Sequence, residues 1–411
     1  KQWKKNNLLF HRFMRSSEYS SYNPSFLGIK KPHYNGRFDL LPLGIQFTNK
    51  TISPNFLFNY FSEGQFLTEN EKTEISEILN NIHLLTKIST KPILFEYGPF
   101  AFDAKINMEL NSKINGNLLS IPFQGINIGS TINQEIDIEL FSYHQFGIKY
   151  GYKLKTKPAI FRFGLGLNFL QGHTFFKLAT DSIKISNSED SISVDISYFM
   201  EGSQLIWNQL NSDSDIDVMD TFSNTTQGFD IGFGVNLKNL IKQNIDFEFG
   251  LMNLGATIKF DKAKKESYTY TLIGQDLQDL TEATEESEQE IDTTLNYDNQ
   301  FLEIKIPSHW FVQITYQPMT QLLISIAMEK SDQKRFFSEE NPRLTFRTGY
   351  FLQNWLNINY GIKTIHGQVM HNTGIGLQFS KMDLTFDFSS YNGWKYNSQG
   401  LGLRLRTSFY F

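Results

Sequence analysis

The sequence predicts an all-β protein: a transmembrane antiparallel β-barrel of about fourteen strands, with an N-terminal plug or hatch segment and long extracellular loops. Three observations predict it. First, apolar and polar residues alternate with period two on run after run. In the last run Leu401, Leu403, Leu405, Thr407, Phe409 and Phe411 point one way, and Gly402, Arg404, Arg406, Ser408 and Tyr410 the other. Charge recurs on the second face, which suits a polar lumen and not a sandwich core. Second, a mean hydropathy of −0.34 coexists with 38 Phe and 18 Tyr. Half of each barrel strand faces water, while the membrane interfaces take aromatics. Third, every second connection is tight, and the tight set falls on the side that holds both termini. A soluble sandwich or propeller would not place Arg, Lys, Asp and Glu opposite the apolar positions on strand after strand.

Composition excludes several function classes. The absence of cysteine removes disulfides, thiolate metal ligands and cysteine nucleophiles. A net charge of −5 with no basic stripe argues against nucleic-acid binding. No run approaches the ~20 apolar residues of a membrane helix. The barrel reading expects a secretion signal cleaved ahead of Lys1. No HExxH, GxSxG, Walker or dinucleotide signature is present, so no catalytic residue, metal or cofactor is expected.

Taken in order, residues 1–35 are not strand-like. Trp3, Phe10, Phe13 and the Asn23-Pro24-Ser25 turn read as a plug entering from the periplasmic side. Residues 36–411 read as the barrel. The first strand covers 37–49. An outer loop at about 50–91 holds an aromatic patch (Phe56, Phe58, Tyr60, Phe61, Phe66) and a helix that Thr68 can cap, with Glu71 three residues on. Strands follow at 92–97 and 100–110, then a loop at 111–134, then strands at 136–153 and 161–169. The longest loop, 176–227, contains a β-like SISVDISYFM stretch and an acidic tip. A strand at 229–237 precedes one long strand at 245–274, kinked at Gly255. An acidic loop at about 275–307 includes Glu282 to Glu290 and is solvated. The remaining strands are compact: 309–317, 322–330, 343–351, 355–363, 373–379, 382–389 and 401–411.

The lumen-lining candidates are Lys149, Arg162, Asp246, Glu248, Arg343, Arg347, Asp383, Asp387, Arg404 and Arg406. They form either a ligand path or a self-satisfied network that holds the plug, and the mixed sign on neighbouring strands favours the network. The pairs Gly164/Gly166 and Gly374/Gly376 fall on the inner face, where they leave room for a plug or for curvature. Asp213, Asp215, Asp217 and Asp220 alternate as in a calcium loop but lack its glycine and its bidentate Glu, so they read as a solvated loop.

The aromatic end, Phe409 and Phe411, resembles the C-terminal signature of bacterial outer-membrane barrels, which implies reading by the barrel-assembly machinery. The Asn23-Pro24-Ser25 turn, the GLNFLQG segment at Gly166 to Gly172 and the strand number together resemble the FadL-type superfamily. The resemblance extends to its Bacteroidota relatives, including the PorV-like shuttle proteins of type 9 secretion. Asn23 and Pro24 match the family's Asn-Pro-Ala hatch turn, with Ser25 in place of alanine. The resemblance implies a fourteen-stranded barrel, a hatch and a lateral opening for hydrophobic ligands. It also implies the outer membrane as location, with both termini periplasmic and membrane lipid as surroundings. The size of the outer loops favours a surface scaffold that holds protein partners at its loops or plug. The alternative is a channel for hydrophobic small molecules.

Overall fold

The computed structural model describes residues 23–27, 34–49, 51–61, 67–156, 159–204, 226–238, 244–274, 297–365, 367–394 and 397–411. The first strands are β1 (Gly36–Asn49), β2 (Asn81–Tyr97), β3 (Phe100–Gly116), β4 (Thr131–Lys155), β5 (Ile160–Asn187) and β6 (Ile192–Gly202). Then come β7 (Thr226–Lys238), β8 (Ile245–Leu254), β9 (Thr257–Gly274), β10 (Tyr297–Lys305), β11 (His309–Met319) and β12 (Leu322–Ser331). The chain ends with β13 (Arg343–Gln353), β14 (Leu356–Ile365), β15 (Gln368–Gln378), β16 (Met382–Tyr391) and β17 (Gly400–Tyr410).

Fourteen of these strands close a ring. Its order is β1, β2, β3, β4, β5, β7, β8, then β11 through β17 and back to β1, with every pair antiparallel. The seam sets Arg37 opposite Tyr410 and Thr48 opposite Gly400. Closure leaves no sheet edge in the bilayer, where an unpaired backbone group would cost several kcal/mol. The side chains confirm the alternation. Leu401, Leu403, Leu405 and Phe409 are exposed on β17, while Gly402, Ser408 and Tyr410 are buried. The same outward apolar row runs through Ile326 on β12 and through Leu344 and Phe346 on β13. An apolar outside around a charged inside is the signature of a membrane barrel. Among the described residues no helix is long and apolar enough to cross a membrane.

The other three strands build over the loop end, opposite the termini. Beyond Gly172 the far half of β5 leaves β7 and pairs with β6, β6 pairs with β9, and β9 with β10. Here the structure departs from the sequence reading. Residues 245–274 are two strands, not one. The chain turns sharply at Asn253 and Gly255, whose φ angles are 57° and 74°. Period-two alternation continues through this turn, so hydrophobicity alone does not reveal it.

Strand β2 starts at Asn81, within the range expected as the 50–91 loop. Only its last third reads as strand in the sequence, because the stretch before it continues a helical pattern. That pattern belongs to α1 (Pro54–Phe61) and α2 (Glu69–Leu79). Helix α2 begins with the expected capping box: Glu71 accepts from the Thr68 backbone at 2.7 Å. Strands β3, β4 and β5 likewise run into the ranges expected as loops, 111–134 and 176–227. At 17, 25 and 28 residues they exceed the ~9–11 residues that cross a bilayer, so the sheet rises well above it. Strand β10 lies within the range expected as the 275–307 loop. The acidic stretches at 213–220 and 282–290 lie outside the described residues.

Candidate functional site: the lumen and its two closures

Near the terminal end, residues 23–27 lie inside the barrel against β4, β5 and β7. Pro24–Phe26 form one 3-10 turn, and the Asn23 side chain caps it by accepting from the Ser25 backbone at 3.0 Å. Asn23, Ser25 and Leu27 are buried. The wall beneath is glycine on three strands. A Cβ on Gly164 would lie 2.1 Å from the Pro24 carbonyl carbon and the Ser25 nitrogen. One on Gly151 would lie 2.7 Å from the Leu27 Cβ, and one on Gly234 would lie 1.7 Å from the Asn23 Oδ1. At Gly164 backbone packs on backbone, and at Gly151 and Gly234 the Leu27 and Asn23 side chains press on the wall, approaches that only glycine permits. Trp3, Phe10 and Phe13, the other expected plug residues, lie outside the described residues.

At the loop end a second closure is apolar. After the 253–255 turn, β9 crosses the mouth, and a Cβ on Gly172 would lie 2.6 Å from Ile258 and 2.7 Å from Phe260. The connection between β12 and β13 also folds inward, carrying Phe336 and Phe337, both buried. These residues form one cluster with Phe141, Tyr143, Leu170, Phe175 and Ile306. Arg335 pins the inward loop. It donates Nε to Glu139 at 3.1 Å and Nη1 to the Lys305 carbonyl at 2.8 Å, and its guanidinium lies 5.4 Å from the Phe141 ring centre. The sequence reading passed over residues 331–342. The apolar Phe336-Phe337 pair inside a polar connection was the available signal.

Phe336 and Phe337 face different cavities. The smaller, about 60 Å³, runs from Pro24 to Arg335 along β3, β4, β5 and β7. Phe141, Tyr143, Met252, Ile306 and Phe336 line it together with Lys305, His309 and Arg335 toward the loop end, and Asp103, Lys149 and Asn168 line it nearer Pro24. The larger, about 150 Å³, lies against β1, β2 and β13–β17 on the Phe337 side.

The lumenal charges are knit together. Asp103 receives Lys149 at 2.8 Å and Lys91 at 2.9 Å. Glu329 receives Arg343 at 3.0 Å, together with Lys363. Arg347 donates to Asn372 at 3.1 Å, and Arg162 to Asn236 at 3.0 Å. Of the residues singled out from sequence, Arg343, Arg347, Asp387, Arg404 and Arg406 meet in the larger cavity, and Lys149 lines the smaller. Arg162, Asp246, Glu248 and Asp383 are buried but line neither cavity. Asp246 sits 3.9 Å from Lys238, and Asp383 accepts from the Tyr410 hydroxyl. Phe409 and Phe411 stand on the outer face, where Phe411 stacks on Phe95 at 5.7 Å. Among the described residues no cluster of acids and histidines could hold a metal ion.

A family profile described as "Family of unknown function (DUF5723)" matches residues 31–388. The chain belongs to that family. No curated protein matches this member of it in sequence. Among solved structures, it is similar to FadL-type outer-membrane proteins. The toluene transporter TbuX of Ralstonia pickettii matches at 10% identity and TM-score 0.44, over 95% of this chain and 92% of that one. The toluene transporter TodX of Pseudomonas putida matches at 8% and 0.42, over 94% and 90%. A FadL homologue of Pseudomonas aeruginosa matches at 10% and 0.41, over 95% and 93%. The shuttle-protein side of the expected resemblance gains no support from these matches.

Proposed function

We propose that this barrel is a passage for hydrophobic or amphipathic small molecules across the bacterial outer membrane, with its termini on the periplasmic side. The observation that carries the reading is the apolar cluster inside the lumen. A water-filled pore keeps its interior polar, whereas here Phe141, Tyr143, Phe175, Ile306 and Phe336 close the loop end from within. The smaller cavity joins that surface to the 23–27 turn, its lining mixing Phe141, Tyr143, Ile306 and Phe336 with polar groups such as Lys305, Arg335 and Asn168. A lining of this kind accepts an amphipathic solute, its apolar part against the rings and its polar part against the charged groups. The 23–27 turn acts as the hatch at the near end, and a solute leaves when it moves or leaves through the wall beside it. Toluene transport by the structural neighbours is in keeping with this cargo. Protein partners at the outer loops, the first expectation from sequence, find no specific support among the described residues.

The test is uptake of radiolabelled naphthalene by cells that lack their own FadL-type protein. Cells expressing this chain should accumulate it faster than cells carrying an empty vector. Equal rates, with the barrel present and folded in the outer membrane, would refute the proposal.

A further inference from the structure

On the outer face of β13 to β15 a row of polar groups interrupts the apolar band. Thr348, Tyr360 and Thr373 lie directly opposite one another on the three strands. Each points outward, because its neighbours in sequence are buried. His371 stands on the same face of β15, one outward position closer to the loop end. Exposed apolar side chains frame the group: Phe346 and Ile362 on the loop side, and Ile358, Ile375 and Phe386 on the terminal side. Polar groups that face lipid are costly unless something bonds them.

Some of that bonding is internal. The Tyr360 hydroxyl meets the His371 Nδ1 at 2.8 Å, and Thr348 donates to the Leu323 carbonyl at 3.3 Å. The connection between β16 and β17 brings in an indole. Asn392 clasps Val369 on β15, backbone N–H to carbonyl one way and side-chain oxygen from N–H the other, each at 2.8 Å. Trp394 is thereby set against His371, with 5.7 Å between ring centres, and against Phe388 at 6.1 Å. With the phenol donating to Nδ1, the imidazole proton sits on Nε2. That Nε2–H, the Trp394 indole N–H and the Thr373 hydroxyl have no hydrogen-bond partner among the described residues. Three neutral donors thus converge on the lipid face. Depth selects their acceptor. Strand β14 has ten residues, about the ~9–11 that cross a bilayer. His371 is opposite Ile362, three residues from the loop end of β14, or about 10 Å along the strand. On a tilted strand that is the boundary of headgroups and acyl chains, where Trp and Tyr gather. The acceptors at that level are the acyl-ester carbonyls.

We propose that His371, Trp394 and Thr373 form a lipid site on the outer wall, holding one acyl-ester lipid of the adjoining leaflet by its ester carbonyls. The chains of that lipid lie along Ile358, Ile375 and Phe386. The site is outside the lumen and does not depend on what the lumen carries. The test places the full chain in detergent with equal amounts of dioleoyl phosphatidylcholine and its diether analogue, which has the same headgroup and chain length but no carbonyl. Native mass spectrometry then reads which lipid stays bound. The diester should be retained about tenfold over the diether. Joint replacement His371→Phe and Trp394→Phe, which keeps the rings and removes two donors, should bring the ratio close to one. Thr373→Val, which keeps the shape and removes the third donor, should lower it in part. Equal retention of the two lipids by the parent would overturn the proposal, and this comparison needs no substitution. A parental ratio in the double variant would overturn it too, with the heat-dependent mobility of the folded barrel on gels unchanged.

Discussion

Replacing Gly164 by valine should dislodge the 23–27 turn. The wall glycine faces backbone atoms, so a Cβ at 2.1 Å cannot be met by a side-chain rotation. Either the turn lifts or β5 bends, and β5 is held on both sides by β4 and β7. Lifting the turn exposes Leu27, now 8% exposed, which costs about 1.5–3 kcal/mol of apolar burial. At about 1.4 kcal/mol per tenfold, Leu27 burial favours the seated turn by about tenfold to a hundredfold in the parent, and a clash that exceeds this cost removes that preference in the valine variant. The chain has no cysteine, so Ser25→Cys gives a single reporter at a position that is 0% exposed. Its rate of labelling by a water-soluble maleimide measures how often the turn leaves its bed. Gly166→Ala is the control, because its Cβ would come nearest the flexible Lys149 side chain, at 3.3 Å, and meet the Gly232 carbonyl at an ordinary 3.9 Å. Fast labelling in Gly164→Val, with parental labelling in Gly166→Ala, is the expected pair of results. Equal rates in all three proteins would refute the view that glycine holds this turn in place.

Other consequences follow from the same geometry. Glu329→Gln removes the shared acid of Arg343 and Lys363 and should destabilise the barrel by about 3–5 kcal/mol, read from urea unfolding in detergent. Glu303→Gln, in a pair with Lys259 that is more than half exposed on both sides, should change stability by less than about 1 kcal/mol in the same assay. Ile326→Arg on the lipid face should cost about 2–4 kcal/mol of insertion into vesicles, whereas a soluble sheet would accept the charge. Phe336→Ala should loosen the inward loop, seen as faster proteolysis between residues 331 and 342 and faster naphthalene uptake; unchanged uptake would mean that this phenylalanine does not gate the path.

Much of the architecture was legible because membrane strands write period two into the chain. Leu401 to Phe411 and Arg343 to Phe351 show their lipid and lumen faces without ambiguity, and the ring count follows from them. Elements that break the period in space, and not in sequence, were hidden. At Asn253 to Gly255 the alternation runs on while the backbone turns, so β9 reads as more of β8. Before Lys91 the helical spacing of α2 masks the start of β2. The charged lumen residues were visible one strand at a time, but their grouping was not. Arg343 and Arg347 come together with Arg404 and Arg406 only because β13 to β17 curve around one cavity. The Asn23-Pro24 turn was visible as a motif, and its glycine bed, drawn from Gly151, Gly164 and Gly234 on three strands, depends on closure of the wall. The inward loop carries no repeat or capping signal beyond Phe336 and Phe337, and only the fold shows what they plug.

The central claim is that an apolar solute travels inside this barrel, between the apolar cluster and the 23–27 turn. Photo-crosslinking with a benzophenone-bearing hydrocarbon, followed by peptide mapping, tests it most directly. The account predicts adducts at Phe141, Tyr143, Met252, Ile306 and Phe336, which line the smaller cavity, reduced by competing naphthalene. Adducts confined to the lipid face, at residues such as Ile326, Phe346 and Phe409, would contradict it.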